Sequence, residues 1–76
     1  MVFKWDYQYS IQYDTKSWFL NCQDLYVRVD LFNDDQDIYL VIYDGSKIIK
    51  KLSDFSSVDL AKKWVERWYQ LEFLLP

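Results

Sequence analysis

Every odd position from Phe3 to Tyr13 is aromatic or aliphatic, and every even position from Lys4 to Gln12 is polar. Successive side chains of a β-strand point to opposite faces, whereas a helix brings a side chain back to the same face only every 3.6 residues. A run of strict alternation this long fits a strand with one buried and one wet face, and nothing else comfortably. The pattern recurs at Leu25–Phe32, where Leu25, Val27, Val29 and Leu31 take one face and Tyr26, Arg28, Asp30 and Phe32 the other. Strands are therefore expected at about 2–13, 18–32 (interrupted near 21–24), 38–43 and 47–52. Asp14-Thr15-Lys16-Ser17 reads as the first turn, Asn33–Asp37 as a loop, and Asp44-Gly45 as a tight hairpin.

The period changes at Ser56. Ser56 with Asp59 three residues on resembles a capped helix start, after which Val58, Ala61, Trp64, Val65, Trp68 and Leu71 recur at helical spacing. One helix is expected over about 57–73, packed on the sheet through Trp64 and Trp68. Short connections imply strands that pair with their sequence neighbours. The expected fold is α+β: an antiparallel meander of four or five strands, with one C-terminal α-helix on one face. The 76 residues make a single compact domain.

A domain of this size has little core to offset the entropy of ordering its chain, and four Trp, seven Tyr and five Phe supply the large apolar side chains it needs. The chain is 51% hydrophobic and 28% charged, too apolar for disorder. With no histidine, it has no Ser-His-Asp triad, Cys-His pair or His-bearing zinc site. One glycine rules out the Gly-rich phosphate loops. Cys22 stands alone, so no disulfide closes within the chain, and its expected role is that of a small apolar core residue. A Ser-Lys dyad built from Ser46-Lys47 or Lys51-Ser53 would need a desolvated lysine, which a surface turn does not provide. No enzymatic activity and no cofactor are expected. Residues 1–13 lack a continuous apolar core, so no signal peptide is expected, and the longest apolar run, Ile38–Tyr43, is far shorter than a membrane span. The expected location is the cytoplasm.

Asn33, Asp35, Asp37 and Asp44 imitate calcium-loop spacing, but Ile38 occupies the position where the turn requires glycine. A strand over 38–43 would also hold Asp37 and Asp44 about 23 Å apart at ~3.3 Å per residue. No metal site is expected.

One helix shields one sheet face, and the pleat then fixes what lies on the other. The helix face is expected to carry Phe3, Trp5, Tyr7, Tyr9, Leu25, Val27, Ile38, Leu40, Ile42 and Ile48. The reverse face carries Lys4, Asp6, Gln8, Asp30, Val41, Ile49 and Lys51 together with Tyr26, Arg28, Phe32, Tyr39 and Tyr43. Those last five have the composition of a protein interface and are the candidate partner-binding residues. The bland alternative is a sheet using Tyr and Val because strands favour them.

Charge is uneven. Residues 1–45 hold three basic and eight acidic side chains, and residues 46–76 hold six and four. Lys47, Lys50, Lys51, Lys62, Lys63 and Arg67 are the candidate nucleic-acid-binding residues, acting with tyrosine stacking platforms. The overall charge of −3 and the scarcity of Gly and Arg oppose that reading. No motif identifies a family. A meander followed by an amphipathic helix recurs in many unrelated small proteins, phage-encoded inhibitors among them. Scarce Ala, Gly, Arg and Pro beside plentiful Asp, Lys, Ile and Tyr suit an AT-rich genome.

The function these features favour is a small acidic, non-enzymatic interaction module whose partner is a larger protein or a second copy. Its concrete form is a phage or mobile-element inhibitor of a host nucleic-acid-processing complex, anti-CRISPR-like in role. The alternatives are a nucleic-acid-binding module and an accessory subunit or homodimer. No membrane partner is expected.

Overall fold

A computed structural model of the chain describes residues 3–32 and 37–74. Five strands, β1 (Asp6–Ser10), β2 (Thr15–Cys22), β3 (Leu25–Phe32), β4 (Asp37–Asp44) and β5 (Lys47–Leu52), precede a helix, α1 (Val58–Tyr69). The strands form one antiparallel sheet in the order β1-β2-β3-β4-β5, and α1 packs across it. The α+β meander is thus the observed fold, with five strands. No helix among the described residues is long and apolar enough to cross a membrane.

The core lies between α1 and the sheet's middle strands. Leu20 and Cys22 from β2, Leu25, Val27 and Val29 from β3, and Ile38, Leu40 and Ile42 from β4 are buried there beneath Ala61, Val65 and Tyr69. The alternation of β3 and β4 follows from this single apolar layer, since every second residue must leave it. The helix stripe is centred on Ala61, Val65 and Tyr69. Trp64 and Trp68 are half-buried at its margin, stacked 6.2 Å apart and 8° from parallel. Leu71, expected on the stripe, is exposed: with Ala61, Val65 and Tyr69 inward, helical geometry carries it about 200° round the axis from Tyr69. The chain widens into a π-helical turn over Gln70–Leu74, where Phe73 meets Trp68 and Tyr69. The cap is Ser57, one residue later than expected; its Oγ accepts the Leu60 N–H at 3.1 Å.

The first hairpin differs from its sequence reading. β1 stops at Ser10 and the turn occupies residues 11–14, so Thr15, Lys16 and Ser17 are strand residues. Asp14 takes φ +49°, which Asp tolerates, and its carboxylate accepts the Tyr9 hydroxyl at 2.8 Å. Thr15 Oγ1 donates to the Tyr13 carbonyl at 3.0 Å, closing the turn. β2 then runs unbroken to Cys22, and the expected interruption near 21–24 is a two-residue turn, Gln23-Asp24, with Gln23 at φ +54°. The matching turn at Gly45-Ser46, with Gly45 at φ +63°, sits beside it: the Gly45 N–H donates to the Asp24 carbonyl at 3.4 Å.

β5 carries a register shift between Ile42 and Tyr43. Lys50 pairs with Ile42 but Ile48 with Tyr43, so the two isoleucines 48 and 49 exchange the faces expected of them. Ile48, expected in the core, is 51% exposed on the open side. Ile49 lies on the helix side, where it borders a hollow with Tyr69 and Phe73. An extra residue in one strand of a pair has this effect on everything beyond it.

Residues 3–5 run beside the helix. Trp5 Nε1 donates to Glu66 Oε2 at 2.9 Å, and the Phe3 ring meets Tyr69 edge-on at 6.0 Å. The Lys62 ammonium lies 5.7 Å from the Trp5 ring centre and 5.3 Å from that of Trp18.

Candidate functional site

The face of the sheet turned away from α1 is set by register. Phe19 lies opposite Arg28, and Arg28 opposite Val41; Ser17 lies opposite Asp30, and Asp30 opposite Tyr39. The pleat keeps these residues on one side, with Tyr26, Phe32 and Tyr43 beyond them. Tyr26, Arg28, Phe32, Tyr39 and Tyr43 therefore share one surface.

Two aromatic groups flank a polar centre. At one end Phe19 stacks on Tyr26 at 5.9 Å, and Tyr26 meets Tyr43 at 5.8 Å. At the other end Phe32 and Tyr39 pack edge to face at 5.5 Å. Between them Arg28 Nε donates to both carboxylate oxygens of Asp30, at 3.0 and 2.9 Å, and Asp30 also accepts the Ser17 hydroxyl. The arginine remains half-exposed while its carboxylate partner is almost covered, and its guanidinium lies 5.6 Å from the Phe19 ring centre. Asp30 thus holds Arg28 down along β3 and accepts a hydroxyl from the neighbouring strand β2. Among the described residues, no buried side-chain nitrogen or oxygen lacks a hydrogen-bond partner.

Two shallow hollows open on either side of β3. One, of about 410 Å³, is bordered by Asp30, Phe32, Tyr39 and Lys51. The other, of about 370 Å³, lies toward β1 among Gln8, Ser10, Tyr13, Thr15, Ser17, Phe19, Arg28 and Phe32. Phe32 is the ridge they share. Burial raises the Tyr26 phenol above its ordinary value, with Arg28 opposing and Asp30 and Tyr43 adding to the rise, so Tyr26 is a neutral hydroxyl at physiological pH. Burial likewise raises the Cys22 thiol, which is on the helix side and stays protonated. Chemically, the open face offers aromatic planes, phenol hydroxyls and a tethered cation, Arg28.

Phe19 and Ser17 belong to this face and escaped the sequence reading. The signal is in the sequence: Ser17, Phe19 and Asn21 alternate with Trp18, Leu20 and Cys22, but the turn-like composition of Asp14–Ser17 masks the phase. The six basic candidates do not form one surface. Lys51 lies on the open face and Lys50 on the helix side, Lys47 pairs with Asp44 at the hairpin end, and Lys62 covers Trp5 and Trp18. Lys63 and Arg67 are exposed on α1. Of the calcium-like spacing, Asp37 and Asp44 stand at opposite ends of β4, and Asn33 and Asp35 lie outside the described residues. Comparison with protein-family models, curated proteins and solved structures finds no match for this chain.

Proposed function

We propose that this chain is a non-enzymatic protein-interaction module that meets a larger protein through the open sheet face. The observation that carries the reading is the aromatic array Phe19–Tyr26–Tyr43 and Phe32–Tyr39, set around an arginine already oriented by Asp30. Tyrosine, phenylalanine and arginine are the residues enriched where proteins meet. Their rings here are fixed by strand pairing and mutual packing, so little side-chain entropy is lost on binding. The hollows beside Phe32 suit inserted side chains of a partner. The scatter of the lysines over both faces, the sheet edge and the helix favours a protein over a nucleic acid, which rewards a continuous basic track.

The finer form of the proposal is an inhibitor, encoded by a phage or mobile element, that occupies a nucleic-acid-processing protein. Its support is the excess of eight acidic over three basic residues in 1–45, which suits a basic groove and speeds encounter with it. The test compares two variant sets in a pull-down from the native host. Tyr39→Ala and Tyr43→Ala should weaken capture of the partner about tenfold or more, the loss typical of a central aromatic anchor. Lys47→Glu, Lys50→Glu and Lys63→Glu should leave it bound. The opposite pattern, together with salt-sensitive gel shifts of single-stranded DNA or RNA, would establish the nucleic-acid reading instead.

A further inference from the structure

Among the described residues the meander ends in two unpaired edges, β1 and β5, and they are built differently. β5 carries Lys47, Lys50 and Lys51 within six residues and is broken by the register shift. Two copies pairing antiparallel through the centre of β5 about a two-fold axis would set lysines directly across from each other. An axis at Ile49 opposes Lys47 to the second copy's Lys51, and an axis at Lys50 opposes that residue to itself. Like charges so placed repel, a common protection of sheet edges.

β1 has no such protection. It is Asp-Tyr-Gln-Tyr-Ser, with one charge, no proline and no bulge, and its first four residues are exposed. An axis normal to the sheet at Gln8 opposes Asp6 to the second copy's Ser10 and Tyr7 to its Tyr9. No charge meets its like, and the Tyr7–Tyr9 pair occurs twice by symmetry. Tyr7 already leans on Trp18 at 5.2 Å, so the pairing would continue an aromatic row that now ends at the edge.

A second observation points the same way. The alternation in the sequence runs from Phe3 to Tyr13, yet the strand within one chain uses only Asp6–Ser10. Ile11 and Tyr13 are left 84% and 69% exposed in the turn. In the register centred on Gln8, Ile11 falls beside the second copy's half-buried Trp5.

We propose that two copies of this chain pair antiparallel through β1, giving a continuous ten-stranded sheet. A two-fold axis normal to the sheet keeps both helices on one side and lays the two open faces side by side on the other. The contact is small, so it belongs with weak, reversible interfaces. This inference is independent of what the open face binds.

Sedimentation equilibrium over about 1 μM to 1 mM is the test. The mass should rise from that of one 9.4 kDa chain toward twice that value and stop there. Gln8→Lys and Gln8→Glu each place like charges across the axis, and both should raise the dissociation constant about tenfold or more while Lys50→Gln leaves it unchanged. Circular dichroism of the dilute variants checks that they fold. If they do not, Ile11→Lys, at a fully solvated turn position, takes their place with the same expected effect. A wild-type mass that stays at one chain at every concentration overturns the proposal. So does undiminished dimerisation of the charged variants, or growth past the dimer, which would mean open-ended β1-to-β5 pairing.

Discussion

The register shift in β5 makes a quantitative difference between two isoleucines that a simple alternating strand would treat alike. Ile42 is 0% exposed, lying between Val27 on β3 and Lys50 on β5 with the helix above. Ile42→Val removes one methyl group and keeps the β-branched shape that suits a strand. The lost transfer free energy is about 0.8 kcal/mol, and incomplete collapse of the surrounding core brings the total to about 0.5–1.5 kcal/mol. Ile48 stands opposite Tyr43 on the open side at 51% exposure, so its side chain keeps much of its hydration in the folded state. Ile48→Val should cost less than about 0.5 kcal/mol, within the range of ordinary surface changes. Urea unfolding followed by tryptophan fluorescence separates the two. With a slope of about 1 kcal/mol per molar urea, the Ile42 variant's midpoint falls by about 0.5–1.5 M while the Ile48 variant's scarcely moves. Equal shifts, or a larger one at Ile48, would refute the register and return Ile48 to the core.

Three further outcomes follow from the geometry. Asp30→Ala leaves the buried Ser17 hydroxyl without its acceptor and releases Arg28; it should cost about 1–3 kcal/mol in chemical denaturation, and Ser17→Ala should cost less because Asp30 keeps its Arg28 bonds. Gly45→Ala forces a Cβ into a left-handed turn residue, although no atom stands in its way; it should cost about 1–2 kcal/mol in thermal melting, with Gly45→Asn recovering part of the loss. Because the folded Tyr26 phenol titrates above its ordinary value of 10.0, the folded state holds that proton more tightly than the unfolded chain. Its contribution to stability is therefore intact below pH 10 and is lost as pH rises from there through the folded value, and Tyr26→Phe should make the alkaline fall in melting temperature shallower.

What was legible in the sequence was whatever one residue's neighbours along the chain decide. β3 and β4 alternate because each has one face in the core, and that phase alone places Tyr26, Arg28, Phe32, Tyr39 and Tyr43 together. The switch to helical spacing placed α1 correctly within a residue or so at its start. The misses arise where a contact from another strand decides. Thr15 and Ser17 look like turn residues until Asp30, across the sheet, gives Ser17 a partner and makes a buried hydroxyl tolerable. Phe19 was lost with them. Ile48 and Ile49 exchanged faces because a single unpaired residue shifts the register, and nothing in Lys-Ile-Ile-Lys marks where it falls. Tyr69 stands in the core in place of Leu71 because the buried stripe runs Ala61, Val65, Tyr69 at spacings of four, a phase that leaves Leu71 on the outer side.

The N-terminal segment beside α1 has a consequence for how the chain folds. Among the described residues every strand pairs only with its neighbour in sequence, so each hairpin closes a short loop and the sheet is expected to assemble through local steps. The bond from Trp5 to Glu66 is of another kind, joining residues 61 apart, and Phe3 against Tyr69 spans the chain in the same way. Closing so long a loop is unfavourable until the sheet and helix have already brought its ends together. These contacts are therefore expected to form after the rate-limiting step and to be lost early in unfolding. Trp5→Phe should leave the folding rate nearly unchanged and accelerate unfolding, so the N-terminal strip acts as a latch on the native state's lifetime.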